Sequence, residues 1–148
     1  MADTVKEIVT DIQSMLAALT GVNYAPAPAS YPDALNSAQL PTVLTWPGEG
    51  EWTMQAMDLS RQNRIWQVNV YVTAVAEDRG IGGQMVKLVD LLQDIGETFV
   101  AEKENASPLG GYVEQIGDMT DSGLVVLTYA GKDYRGFVFT IETVNKPI

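Results

Sequence analysis

The chain contains no cysteine and no histidine. Without cysteine there is no disulfide framework, no thiolate metal site and no thiol nucleophile, so packing and hydrogen bonds alone must hold the fold. Without histidine the commonest general base near neutral pH, the usual partner of a serine nucleophile and the commonest metal ligand are all missing. Most hydrolase and zinc-enzyme readings fall with it. Basic residues are scarce too: nine Lys and Arg stand against nineteen Asp and Glu, a formal net charge of −10. That sign opposes any binding that works by neutralising phosphates, so tight, direct nucleic-acid binding is disfavoured. No apolar run approaches the ~18 residues a membrane span requires. Asp3, Glu7 and Asp11 occupy the first turns, where a secretory leader needs a basic head and an apolar stretch, so neither membrane insertion nor export by that route is expected.

What is present is one domain's worth of chain: 148 residues, 46% of them apolar. That is enough to bury a core, and a single domain over 1–148 is expected. From Thr4 to Leu19, Val5, Ile8, Val9, Ile12, Met15, Leu16 and Leu19 recur at helical spacing. Asp3 or Thr4 is placed to cap this helix and Gly21 to end it. Residues 22–41 then carry Pro26, Pro28, Pro32 and Pro41, which cannot sustain a helix because proline lacks the amide donor. They read as an irregular Pro-rich arm, and Tyr24, Tyr31 and Leu35 suggest that it docks on protein.

Strands follow. Thr42 to Trp46 reads as one, Pro47-Gly48-Glu49-Gly50 as a turn, and Glu51 to Leu59 as the return strand of a hairpin. In Ile65 to Val75 the residues Trp66, Val68, Val70, Val72 and Ala74 share one face, while Gln67, Asn69, Tyr71 and Thr73 share the wetter one. After Asp78, a plausible cap, Met85, Leu88, Val89, Leu92, Ile95 and Phe99 mark the buried side of a second helix reaching about Lys103. Three further strands are expected at about Tyr112 to Ile116, Leu124 to Tyr129 and Arg135 to Val144. The turn signals Asp121-Ser122-Gly123 and Gly131-Lys132-Asp133 separate them. The fold class is therefore α+β: a mainly antiparallel sheet, two helices packed on one face, a projecting hairpin and the arm.

Few residues carry a chemical signature. Arg79-Gly80-Ile81-Gly82-Gly83 opens a helix after a strand, but it matches neither the dinucleotide nor the P-loop spacing, and Glu77 and Asp78 would repel a phosphate. Glu114, Asp118, Asp121 and Asp133 cluster late in the chain, yet Asp is the ordinary turn residue and the calcium-loop spacing is absent. No serine lies in a Gly-x-Ser-x-Gly elbow. No catalytic residue, metal or cofactor is assigned, and an enzyme is not expected. The most apolar and aromatic stretch is Trp46, Trp52, Met54, Met57 and Trp66. Trp66 belongs with the core. Trp52, Met54 and Met57 exceed what a hairpin needs, and aromatic and Met enrichment is an interface signature, with internal packing and contact with a neighbouring subunit the two equal readings of the hairpin. Tyr24, Tyr31, Trp46, Trp52, Met54 and Met57 are accordingly the candidate contact residues.

The layout points further. An amphipathic helix ending in Leu19-Thr20-Gly21-Val22 leads to a Pro-rich arm with Tyr31-Pro32. Leu40-Pro41-Thr42-Val43 then leads into Trp46-Pro47-Gly48-Glu49-Gly50, followed by the Trp66-to-Val75 strand, the second helix and a closing Phe137-Val138-Phe139-Thr140-Ile141 strand. In this order the chain resembles the tail-terminator, or tail-completion, proteins of long, non-contractile-tailed phages. The resemblance implies a homo-hexameric ring in the virion, at the head-proximal end of the tail. Such a ring caps the tail tube, meets a neck or head-completion protein, and lets DNA pass through its lumen without specific binding. By position, the hairpin and the arm would make the ring and tube contacts. An acidic lumen that repels DNA phosphates agrees with the composition. The nearest alternatives are another neck, tube or baseplate subunit of the same machine. A small-molecule-binding α+β domain using the carboxylates near Asp118 and Asp133 is a more distant one.

Overall fold

The computed structural model describes residues 4–55, 59–75, 81–105, 108–111 and 113–145. Among these the chain is α+β, with two α-helices and a five-stranded antiparallel sheet. Helix α1 spans Thr4–Ala17 and α2 Ile81–Lys103; the strands are β1 Thr42–Gln55, β2 Leu59–Ala74, β3 Val113–Asp121, β4 Val125–Tyr129 and β5 Lys132–Asn145. Asp3, Glu77, Asp78, Arg79, Gly80 and Met57 lie outside the described residues, as does Tyr112.

The sheet order is β1-β2-β5-β3, with β4 also on β5. β5 is long enough to take both partners along one edge: β3 pairs from Val113↔Asn145 to Asp121↔Phe139, and β4 takes over from Val125↔Gly136 to Tyr129↔Lys132. The break falls at Ser122-Gly123, where Gly123 adopts φ +65 and its amide donates to Asp121 Oδ1 at 2.9 Å. This is the turn that Asp121-Ser122-Gly123 signals, a local Asx closure. The second signal sits one residue earlier than expected: Ala130 and Gly131, both at positive φ, make the two-residue turn, and Lys132 and Asp133 already belong to β5.

Period-two alternation then decides which side is core. Val43 on β1, Trp66, Val68 and Val70 on β2, and Phe137, Phe139 and Ile141 on β5 face both helices. α1 contributes Ile8, Val9, Ile12 and Leu16; α2 contributes Leu88, Leu91, Ile95 and Phe99, whose ring stacks on Phe139 at 5.5 Å. Trp66 is fully buried, and its indole N–H donates to Thr143 Oγ1 at 2.7 Å, whose hydroxyl donates in turn to Asn145 Oδ1 at 2.8 Å. A buried indole needs such an acceptor.

Two expectations are corrected. Pro47-Gly48-Glu49-Gly50 is no turn: β1 runs straight through it, with a bulge in the register between Pro47 and Gly50, and the hairpin partner is β2 throughout. Hence two strands, not three, precede α2. The turn-forming residues serve a bulge on an edge strand, where proline's missing amide costs no ladder bond. Glycine serves close approach: a Cβ on Gly48 would sit 2.9 Å from the Ile65 carbonyl oxygen, and one on Gly50 would strike the Arg64 guanidinium at 2.6 Å. The α2 stripe is also rotated: Leu91 is buried, whereas Met85 and Val89 are exposed.

Candidate interaction surfaces

The arm, residues 22–41, does not wander. It crosses the sheet face opposite the helices and closes a second, smaller core with Leu35, Leu44, Tyr71 and Tyr134 buried and Tyr31, Leu40, Leu127 and Tyr129 packed around them. Three aromatic rings meet edge to face there, Tyr71 lying 5.6 Å from both Tyr129 and Tyr134. The Tyr129 hydroxyl donates to the Pro32 carbonyl, tying β4 to the arm. Burial raises the phenols of Tyr71 and Tyr129 above their ordinary range.

The arm also finishes the exposed edge of β1. Val43 N donates to the Tyr24 carbonyl at 2.9 Å, and the Tyr31 hydroxyl both donates to Thr45 O at 2.7 Å and accepts from Thr45 N at 3.0 Å. Burial pushes the Tyr31 phenol up to about 12, against the opposing effect of the Thr45 amide. On the helix side Gln13, fully buried, donates to the carbonyls of Pro26 at 2.9 Å and Val43 at 2.8 Å, and accepts from Thr45 Oγ1 at 2.7 Å. A polar residue on the buried side of an amphipathic helix thus ties helix, arm and edge strand together. Periodicity alone passes over it, because its partners are backbone groups distant in sequence.

Beyond this protected stretch the edge changes character. β5 pairs with β2 only as far as Asn63↔Val144, so Trp52↔Gln62 to Gln55↔Leu59 form a two-stranded hairpin past the end of the sheet. At its root the buried amide nitrogens of Gln62 and Asn145 have no hydrogen-bond partner. Trp52, opposite Gln62, is 55% exposed, with the Arg64 guanidinium 5.9 Å from its ring centre. Trp46 lies nearer the arm, 37% exposed and edge-on to Tyr31 at 4.9 Å. It flanks a shallow groove of about 290 Å³ bounded by Val5, Val9, Pro28, Tyr31 and Pro47.

The six candidate contact residues are therefore divided. Tyr24, Tyr31 and Trp46 sit where arm meets β1. Trp52 is on the projecting hairpin; Met54 is on the same strand, described there by its backbone alone; Met57 lies outside the described residues. Missed in the sequence is a second exposed apolar stripe, along the outer side of α2: Met85, Val86, Val89 and Val100. Its spacing would have shown it, since two registers of apolar residues on one long helix cannot both be buried.

The carboxylates are dispersed. Asp121 accepts from the Gly123 amide in a turn, and Asp133 accepts from Thr128 Oγ1 at 2.7 Å across the β4–β5 ladder. Asp11, on α1, is held above the ordinary carboxylate range by burial, then by Glu7 and by Glu102 of α2. Among the described residues no group of three or more Asp or Glu has the arrangement of a metal site. No described helix is long and apolar enough to cross a membrane. No protein-family model matches the chain, and no curated protein matches it.

Proposed function

We propose that this chain is a structural virion protein, a tail terminator whose copies form a ring that caps the tail tube of a long-tailed phage and joins it to the neck. The observation that carries the reading is the hairpin. Four cross-strand pairs, Trp52↔Gln62 to Gln55↔Leu59, extend beyond the sheet and present an exposed tryptophan. A two-stranded hairpin is marginal in water on its own, and aromatic side chains are enriched where proteins meet. Such a feature suits a molecule that is completed by its neighbours. The α+β layout, with the arm folded against the sheet, is consistent with the resemblance that suggests the reading. The acidic balance suits a lumen through which DNA slides without sticking. In this reading the ring works by surface complementarity, without cofactor or bond chemistry.

The test is growth of tail tubes from their purified subunit, with and without this protein. A terminator present from the start shortens the tubes in proportion to its concentration and leaves their diameter unchanged. Tubes of unchanged length, or polymerisation of this chain into tubes by itself, would overturn the reading.

A further inference from the structure

We draw no further inference here: the strongest candidate, the outer edge of β4, which pairs only with β5 among the described residues and leaves Leu124 and Val126 beside it exposed, carries nothing because nothing in the structure shows what covers it.

Discussion

Gln13 shows how much one side chain can hold. Its amide satisfies two carbonyls on different segments and accepts a hydroxyl, the bonds to Val43 and Thr45 fully buried and that to Pro26 partly so. Replacing it with leucine keeps the volume but strands Pro26 O, Val43 O and Thr45 Oγ1, and each buried unpaired group costs ~1–3 kcal/mol. Gln13→Leu should therefore lower stability by about 3 kcal/mol in denaturant titration, whereas an apolar gain would mean that these bonds are not made. Asp11 is the opposite case. Its carboxyl oxygen Oδ2 is buried without a partner, and its pKa is raised by burial, then by Glu7 and Glu102. A carboxyl that binds its proton more tightly when folded favours the folded state at low pH, and stability falls as pH rises from 3.8, the ordinary value of an unfolded Asp, through the raised folded pKa. Asp11→Asn should raise the melting temperature at pH 7 and flatten that decline; an unchanged profile would show that the carboxylate is not desolvated.

At the scale of elements, the edge of β1 is the informative case. Exposed strand edges invite pairing with other chains, and here Tyr24, Tyr31 and Gln13 occupy the outward groups of Val43 and Thr45 while Pro47 removes one donor. Tyr31→Phe should cost about 1–2 kcal/mol, since Thr45 loses a partner for both its amide and its carbonyl. The wild type should also lose stability as pH rises from 10 toward about 12, because the folded phenol resists ionisation, and Tyr31→Phe should remove that part of the alkaline loss. Alkaline titration of both proteins checks this. The turn between β4 and β5 places Ala130 at φ +52 ahead of Gly131, where asparagine is favoured. Ala130→Asn should stabilise by about 0.5–1 kcal/mol in the same titration, and a destabilisation would contradict the turn geometry.

These elements also show what the residues disclosed in advance. The α1 stripe, the Trp66 face as far as Val72 and the Phe137 face are strong periodic signals, and they reappear as the main core. Tyr71 and Thr73, expected on the wetter face, are buried, and past a register shift Ala74 packs with Tyr71 in the second core. The arm's docking was legible from Tyr31 and Leu35, because proline-rich chain with buried-type residues needs a surface to lie on. Pro47 to Gly50 misled, because a bulge on an edge strand and a turn ask for the same residues and only pairing over distance tells them apart. The α2 face misled because apolar residues encircle more of that helix than one sheet can cover. Trp52 is expected on the return strand of a hairpin that turns at Pro47 to Gly50, but it lies on the outgoing strand of the β1–β2 hairpin. Its position beyond the sheet depends on where β5 stops, a tertiary fact.

At the scale of the molecule, the sheet is covered by helices on one face and by the arm on the other. Among the described residues the large apolar side chains left exposed are Trp46 and Trp52 on β1, Met85, Val86, Val89 and Val100 along α2, and Leu124 and Val126 at β4. Exposed apolar surface of this kind suits a subunit completed by neighbouring proteins, as the proposed function requires. The most direct test is negative-stain imaging of tail tubes incubated with the pure protein. The account predicts one ring-shaped density at a single end of each tube, absent from the shaft and lost with Trp52→Glu. Bare ends, or decoration along the whole shaft, would contradict it.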